Sequence, residues 1–224
     1  MPFGLPNAPA AFQRLMQKTL QRLVPNQCLI HLDDIIMYGR NVTEHNGNLR
    51  DVLERLWSTG LKLKGSRCHF LQREVTFLGY VIAADGIKTD PAKSKQIKRW
   101  PQPQPVENFC SFLGLASYYR KFIQGFAEIA APLHRLTEKG RPFTWSDECN
   151  ASFETLEEKL TTPLILDFPD VSVEAGKFVL DTDANSISIG AVLSQEGEVV
   201  IAYASRCLDK CEGNYSTTRR ELLA

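Results

Sequence analysis

The 224-residue sequence predicts an α+β fold, in which helices and small groups of strands occupy separate stretches of the chain. Some segments repeat apolar residues at helical spacing, whereas short runs of β-branched and aromatic residues, bounded by turn residues, indicate strands. The composition, 43% hydrophobic and 23% charged residues, is that of a folded domain rather than of a disordered or membrane-embedded chain.

The first predicted region, residues 1–85, combines both kinds of pattern. Its helical segments carry leucines at helical spacing, and its strand segments are short and rich in β-branched residues. The predicted elements are helices over residues 7–23 and 43–57, a hairpin over 29–37, and strands near 67–72 and 74–82.

A helical region is predicted from about residue 90 to residue 139, with a break at Trp100–Pro105, where alternating prolines remove the amide hydrogens that a helix needs. The next segment, residues 140–172, contains a predicted helix over 146–160 whose Ser-Asp-Glu start suits an N-terminal cap. From residue 173 onward, strands are predicted over 178–180, 189–193 and 199–203, followed by a helix that begins near Thr217.

Charge is segregated along the chain, although the net charge is zero. Residues 60–125 carry eleven basic and four acidic side chains, a net +7, and residues 143–200 carry two basic and twelve acidic ones, a net −10. A basic region suits contact with a phosphate backbone, because Lys and Arg neutralise phosphate charge. The alternative is an ordinary solvated helix face with surplus lysine, and the residues alone leave both open.

The six cysteines are scattered, without a Cys-x-x-Cys pair or nearby histidine partners, so we expect no zinc site. Most of them are expected to be reduced thiols that fill small apolar spaces. No run approaches the ~20 apolar residues of a membrane-spanning helix, and the N-terminus lacks a signal-peptide pattern. We therefore expect an intracellular protein that is not secreted and does not bind membranes.

Two adjacent carboxylates, Asp33 and Asp34, are the most informative feature of the sequence. They separate two apolar runs, so a tight turn would place both at the tip of a hairpin. Adjacent carboxylates repel each other and resist desolvation, and a bound divalent cation such as Mg²⁺ would offset that repulsion. The alternative is a solvated Asp-Asp turn that binds nothing.

Longer motifs, taken in order and at their observed intervals, carry a family resemblance. They are MPFGLPNAPAAFQ (1–13), GLKLKGSRCHFLQREVTFLGY (60–80), GIKTDPAKSKQIKRWP (86–101), FLGLASYYRKFI (112–123) and FVLDTDANSISIGAVLSQ (178–195). Together they resemble the pol polyprotein of gypsy-type long-terminal-repeat retrotransposons, a reverse transcriptase followed by a tethered ribonuclease H. The resemblance covers essentially the whole chain. It implies the distal palm in residues 1–85, a thumb-like region in 86–139, a connection in 140–172 and the N-terminal part of a ribonuclease H-like domain in 173–224.

The resemblance implies two sites that depend on Mg²⁺, or on Mn²⁺ in its place. In the polymerase site, Asp33 ligates the metal directly and Asp34 lies close by, for nucleotide addition by the two-metal route. In the ribonuclease H site, the ligands are Asp183 of a Thr-Asp-Ala-Asn run and Glu221 of an Arg-Glu-Leu-Leu run. Three residues depart from the family pattern: His31 stands where Tyr is usual, Asn185 where Ser is usual, and Ser188 where Gly is usual.

Further residues are implied to bind substrate. Phe3 and Gly4 would line the pocket of the incoming nucleotide, where an aromatic ring over the ribose can exclude a 2′-hydroxyl. Gln13 would lie on the helix that supports the template. The residues Leu78, Gly79 and Tyr80 would grip the sugar-phosphate of the primer end.

The implied partners are an RNA template, a DNA primer, the RNA/DNA hybrid, dNTP and the rest of the pol polyprotein, namely the upstream palm and fingers, the ribonuclease H remainder and integrase. The family's sites use further carboxylates that would lie before residue 1 and after residue 224. We therefore expect an internal piece, truncated at both ends and inactive alone, located in cytoplasmic virus-like particles or in the nucleus. The alternative is a degenerate or co-opted remnant that binds nucleic acid without catalysis.

Overall fold

The computed structural model describes residues 4–100, 106–138, 140, 142–162, 165–172, 174–196 and 199–224. The chain forms two compact units, Met1–Arg73 and Glu74–Ala224. Helices and three small antiparallel sheets make up the described residues, which agrees with the predicted α+β class. In those residues no helix is long and apolar enough to cross a membrane.

Two helices and one hairpin build the first unit. Its elements are α1 (Ala8–Thr19), β1 (Cys28–His31), β2 (Asp34–Met37) and α2 (Val42–Ser58). Helix α1 has a proline in its first turn, where the missing N–H costs nothing, and it ends before the predicted residue 23. Helix α2 is capped by Asn41, whose side chain accepts a hydrogen bond from the backbone N–H of Glu44.

A small apolar core holds the hairpin of the first unit against its helices. Helix α1 contacts β1, and α2 contacts β2. Leu20, Cys28 and Val52 are fully buried, and Met16 and Leu56 are nearly so. This core fixes the apolar side of the hairpin and leaves its turn at the surface of the unit.

In its described residues, the second unit contains two antiparallel sheets, with four α-helices between them in sequence and one α-helix after them. The first part comprises β3 (Glu74–Phe77), β4 (Tyr80–Ala83), β5 (Gly86–Thr89), α3 (Pro91–Lys98), α4 (Val106–Tyr118), α5 (Phe126–Arg135) and α6 (Asp147–Thr161). The second part comprises β6 (Phe178–Ala184), β7 (Ser188–Gln195), β8 (Val199–Cys207) and α7 (Thr217–Leu223). Each sheet is a three-stranded meander, in the order β3-β4-β5 and β6-β7-β8.

Most predicted elements of the second unit are confirmed. Helices α3, α4 and α5 occupy the stretch predicted as helical, and the proline-rich break at 101–105 lies outside the described residues. Helix α6 begins after Ser146, whose hydroxyl accepts from the N–H of Cys149, as the Ser-Asp-Glu start predicted. The core of the second unit is rich in aromatic residues, and Phe109, Phe112 and Tyr119 are almost fully buried in it.

Two predicted strands were wrong. Residues 67–72 contain no strand, because a short 3₁₀ turn at Gly65–Arg67 leads into irregular chain. The predicted strand over 74–82 is a hairpin instead, since β3 and β4 are joined by a turn at Leu78 and Gly79. Both turn residues have positive φ, +50° and +72°, so the chain reverses there within an otherwise apolar run.

The expectation for the cysteines is only partly met. All six are free thiols, but only Cys28 and Cys149 are buried in apolar surroundings. Cys68 is half-buried, and Cys110, Cys207 and Cys211 are exposed, so most of them do not fill interior spaces.

Candidate active sites

The carboxylate pair lies where the hairpin of the first unit reverses direction. Leu32 and Asp33 form the two-residue turn, and Asp34 is the first residue of β2, paired with His31 across the hairpin. Leu32 adopts φ +53°, the left-handed conformation that this kind of turn requires. Asp33 and Asp34 are both exposed, so their oxygens are free to meet a ligand.

Gln13 fastens this turn to helix α1. Its Oε1 accepts a hydrogen bond from the backbone N–H of Leu32 at 2.5 Å, and its Nε2 donates to the carbonyl of Ile30 at 3.5 Å. One side chain thus bonds the backbone on both sides of His31. The sequence placed Gln13 on a helix near the template, and the structure adds a direct contact with the turn that carries Asp33.

His31 is the last residue of β1. Strand alternation does not relate it to Asp33, because Asp33 lies in the turn and not on a strand. Because directly opposed residues share a face of an antiparallel pair, the neighbour of His31 is Asp34. His31 is exposed, so its side chain is not part of the core of the first unit.

The nucleotide-pocket residues are only partly described. Phe3 lies outside the described residues. Gly4 is exposed in the turn that precedes α1 and has φ +90°, a conformation that residues with a side chain rarely adopt. The need for glycine here is therefore conformational, because a Cβ atom at this position would meet no neighbouring atom.

The residues predicted to grip the primer form the β3–β4 turn and the start of β4 in the second unit. The hydroxyl of Tyr118 donates to the carbonyl of Leu78, and the hydroxyl of Tyr119 donates to the carbonyl of Gly79 at 2.6 Å. Tyr80 stacks on Tyr118, with ring centroids 5.2 Å apart. Burial, followed by the neighbouring tyrosine and Asp90, raises the pKa of Tyr119 to about 12, and burial likewise raises the pKa of Tyr80.

Asp183 lies on β6 at the wall of a cleft of about 320 Å³. Strand alternation puts Asp181 on the same face, and both carboxylates line the cleft together with Glu128 of α5. The sequence motif assigns the role of metal ligand to Asp183. The structure does not distinguish Asp183 from Asp181 by position, because both residues line the cleft. No sequence pattern connected Glu128 with this site.

Asn185 organises the connection that follows Asp183. Its Oδ1 accepts from the N–H groups of Ile187 and Ser188 at 2.8 and 2.7 Å, and its Nδ2 donates to Glu128 at 2.9 Å. An asparagine can do both because its amide offers an acceptor and two donors. This departure from the family pattern therefore has a local structural use.

Glu221 is exposed on α7, and α7 packs against β6, the strand of Asp183. The two residues thus sit on adjacent elements, although Glu221 does not line the cleft.

The chain before α7 is held by an ion pair. Arg206 forms two hydrogen bonds to the carboxylate of Glu212, at 2.6 and 2.9 Å. That ion pair lowers the pKa of Glu212 to about 2.

The candidate metal ligands at both sites are carboxylate oxygens, which Mg²⁺ prefers. Their chemical type fits magnesium, but in its described residues each site has too few of them to hold the ion alone. Within the described ranges, no group of three or more His, Cys, Asp or Glu side chains is placed to hold a metal ion.

Comparison with known proteins assigns the chain. A model described as reverse transcriptase (RNA-dependent DNA polymerase) matches residues 1–82, and one described as RNase H-like domain found in reverse transcriptase matches residues 145–224. The Pol polyproteins of the Drosophila melanogaster transposons 297 and gypsy are 43% and 37% identical to it, each over the whole chain. The chain belongs to the gypsy-type retrotransposon Pol family. It combines the reverse transcriptase region of that family with its ribonuclease H-like region.

Members of this Pol family are much longer than the chain. The aligned part is 21% of the transposon 297 polyprotein and 22% of the gypsy one. The Tf2-3 polyprotein of Schizosaccharomyces pombe is 31% identical over 228 residues, and the chain covers 17% of it. The chain therefore spans about a fifth of the length of the curated relatives it matches.

Solved reverse transcriptases share the fold of this Pol segment. The foamy viral protease-reverse transcriptase in complex with double-stranded DNA matches with a TM-score of 0.88 and 27% identity, over 99% of this chain and 39% of that one. The same viral enzyme in complex with an RNA/DNA hybrid gives 0.86 and 26%, over 100% of this chain and 30% of that one. The predicted architecture of palm, thumb and ribonuclease H-like start is thus confirmed, and the domain boundaries stay predictions.

Proposed function

We propose that this Pol segment carries part of an RNA-directed DNA polymerase site and part of a ribonuclease H site. The observation that carries the proposal is the pair of exposed carboxylates, Asp33 and Asp34, at a hairpin turn held by Gln13, in a region that matches the reverse transcriptase family. The alternative, a solvated turn that binds nothing, is less favoured. Two hydrogen bonds with the side chain of Gln13 hold the backbone of this turn in place, and a turn without a function would not need them.

In the polymerase site, Asp33 and Asp34 supply the carboxylate oxygens that would hold Mg²⁺, or Mn²⁺ in its place. When bound, the metal supplies activation of the primer hydroxyl and charge neutralisation at the phosphates. The protein's own contribution is positional. The two-residue turn brings both carboxylates to one end of the hairpin, and Gln13 fixes the backbone from which Asp33 projects.

Substrate binding is assigned to three segments. Phe3 and Gly4 line the pocket for dNTP, Gln13 supports the template side, and Leu78 to Tyr80 hold the primer end. The complexes of foamy viral reverse transcriptase with double-stranded DNA and with an RNA/DNA hybrid support nucleic acid of this kind as the partner.

In the ribonuclease H site, Asp183 and Glu221 act on the RNA strand of the hybrid. The packing of α7 on β6 supports their pairing, and the match of residues 145–224 to an RNase H-like model supports the activity. Since no set of three ligands occurs among the described residues, we propose that turnover requires other parts of the polyprotein. Those parts would include the upstream palm and fingers and the remainder of the ribonuclease H domain, in an intracellular particle.

The test is primer extension on an RNA template with Mg²⁺. The 224-residue chain is compared with a form extended at both ends from its genomic context. Synthesis by the extended form alone supports the proposal. Synthesis by neither form favours the degenerate remnant, and synthesis by the short chain contradicts the need for other ligands.

Two substitutions in the extended form separate the sites. Asp33→Asn should lower DNA synthesis at least about 100-fold while cleavage of the RNA strand continues, because one ligand charge is lost from one site only. Asp183→Asn should do the reverse. The control is Asp167→Asn, an exposed carboxylate outside both sites, which should leave both activities unchanged.

A further inference from the structure

The turn between β3 and β4 is tethered to the end of α4 by two tyrosine hydroxyls. Leu78 and Gly79 are its two central residues, and their carbonyl groups take no part in the pairing of β3 with β4. Tyr118 donates to the first carbonyl and Tyr119 to the second, about 40 residues along the chain. The carbonyl of Gly79 also accepts from the backbone N–H of Asp90 at 3.3 Å.

Contacts run in both directions between the turn and α4. The Tyr80 hydroxyl donates to the carbonyl of Tyr118 at 3.2 Å, and its ring stacks on that of Tyr118 and meets Tyr119 edge-on. Tyr119 is only 1% exposed, whereas Tyr118 is 48% exposed. A Cβ atom on Gly79 would lie 3.3 Å from the Tyr119 hydroxyl oxygen, so this glycine also leaves room for the tyrosines.

A cation completes the cluster. The Lys121 ammonium lies 4.0 Å from the centroid of the Tyr80 ring, within the range of a cation–π contact. Burial lowers the pKa of Lys121, and within the described ranges no carboxylate forms an ion pair with it.

Fixing a carbonyl also fixes the amide on the other side of the same peptide plane. In a trans peptide the C=O and the N–H point in opposite directions. The bond from Tyr118 to the Leu78 carbonyl therefore directs the N–H of Gly79 away from α4. That N–H donates to no other described residue, so it stays available to an acceptor outside this cluster.

We propose that Tyr118 and Tyr119 are positioning residues, whose hydroxyls hold the 78–79 turn in the shape that receives the primer end. The inference rests on the proposed polymerase function, since it assigns the primer to this turn. A purely structural role for the tyrosines would need their rings and not their hydroxyls. Phenylalanine keeps the ring and removes the hydroxyl, and so separates the two roles.

The experiment uses the extended Pol form with Tyr118→Phe, Tyr119→Phe and the double variant. Single-nucleotide extension of a DNA primer on an RNA template gives kcat and the KM for primer–template. One neutral hydrogen bond corresponds to about a fivefold effect, so each variant should raise KM about fivefold and the double variant about 20-fold, with a smaller change in kcat. Tyr215→Phe is the matched control, because the Tyr215 hydroxyl bonds no other described residue, and its KM should not change.

A second measurement reads the tether without activity. Hydrogen exchange of the Tyr80 and Asp90 amides, which are bonded in and beside the turn, should accelerate at least tenfold in the double variant of the 224-residue chain, while the melting temperature falls by no more than about 8 °C. Unchanged exchange would overturn the tether, and faster exchange with an unchanged KM would overturn its role in primer binding. Failure of the unaltered extended protein to make DNA would instead overturn the proposed function, and this role with it.

Discussion

At the scale of single residues, Gln13 combines two contacts that few side chains can make together. It accepts from the N–H of Leu32 and donates to the carbonyl of Ile30, so the backbone on both sides of His31 is bonded to α1. An amide is suited to this because it carries an acceptor and two donors at one end. The position of Asp33 therefore depends on a residue that need not touch metal or substrate.

Replacing Gln13 with leucine should loosen the turn without emptying the space. Each lost hydrogen bond costs about 1 kcal/mol. In the extended form we expect DNA synthesis to fall about tenfold while cleavage of the RNA strand is unchanged, because only one site is affected. The measurement is the rate of primer extension beside the rate of ribonuclease H cleavage.

Gln17→Leu is the control for this prediction. Gln17 is exposed on the same helix, so the change alters the sequence of α1 equally without touching the turn. Equal losses in the two variants would mean that the stability of α1, and not the contact with the turn, governs activity.

Residue types revealed the carboxylates but not their supports. Asp33 and Asp34 were predicted because like charges between apolar runs are unusual, and the hairpin followed from the pattern. Gln13 was found only by resemblance, and its contact spans 17–19 residues, which no local pattern encodes. Glu128 lies 57 residues from its partner Asn185, and no local pattern connects two positions that far apart.

Among the secondary-structure elements, the β4–β5 hairpin is sterically constrained at Gly86, the first residue of β5. Gly86 has φ +127°, and a Cβ atom there would lie 2.4 Å from the carbonyl oxygen of Leu166. Leu166 is almost fully buried and pairs with Ile87 through two hydrogen bonds of 2.7 and 3.0 Å. The carbonyl of Leu166 therefore cannot move away without breaking this bridge.

Gly86→Ala should destabilise the second unit by about 3 kcal/mol, through backbone strain and the clash together. Urea unfolding of the chain gives the free energy. The control is Gly114→Ala, at an exposed position in α4 where a Cβ atom meets nothing, and it should stabilise by about 0.5–1 kcal/mol. Equal stability of the Gly86→Ala variant and the unaltered chain would contradict the constraint.

The connection from β8 to α7 depends on one ion pair. Glu212 accepts from Arg206 and also from the N–H of Asp209 at 2.9 Å, and these contacts lower its pKa from an ordinary value of 4.5 to about 2. A carboxyl with a lowered pKa contributes stability above its unfolded pKa and loses it as the pH falls through the folded one. The contribution should therefore be complete above about pH 4.5 and vanish near pH 2.

Glu212→Gln tests this dependence. The difference in unfolding free energy between the unaltered chain and the variant should be constant from pH 7 to about 4.5 and then shrink towards pH 2. Urea unfolding across that range measures it. Glu174→Gln, an exposed site without such a pair, should give a difference that does not vary with pH. A Glu212 difference that is equally flat would rule out the pair as the cause.

Elements were predictable where one period dominates. The existence of the strands β6 to β8 and of the helices α2 and α6 was predicted, with errors of one or two residues at the helix ends, whereas β6 and β8 each continue four residues beyond their predicted ends. The prediction of a single strand over 74–82 was wrong because a turn at Leu78 and Gly79 divides this run into two strands. The turn lacks the Asn-Gly sequence that usually indicates a hairpin. The geometry of that turn depends on tyrosines about 40 residues away.

For the whole molecule, the order of the motifs along the chain was enough to identify the family. The order of motifs does not show which residues contact each other at each site, because those contacts join distant parts of the chain. The reverse transcriptase region and the ribonuclease H-like region follow one another along the chain in the order that was predicted. Charge is unevenly distributed along the chain, since residues 60–125 carry a net +7 and residues 143–200 a net −10. A net charge of zero therefore hides a segment suited to a phosphate backbone.

If the basic segment contacts nucleic acid, binding should weaken steeply with salt. With about five phosphates neutralised, log Kobs should fall against log salt concentration with a slope of about −4 to −5. Fluorescence anisotropy of the 224-residue chain with an RNA/DNA hybrid, from 50 to 300 mM salt, measures this slope.

Neutralising two exposed lysines of α3, Lys95→Gln with Lys98→Gln, should reduce the magnitude of that slope by about 2, because each contact contributes about one unit. The control neutralises two exposed lysines outside the basic segment, Lys159→Gln with Lys177→Gln, and should leave the slope unchanged. If both pairs change it equally, net charge and not the basic segment attracts the nucleic acid. A slope near zero in the unaltered chain would instead favour the ordinary solvated helix face, and the net +7 of residues 60–125 would have no part in binding.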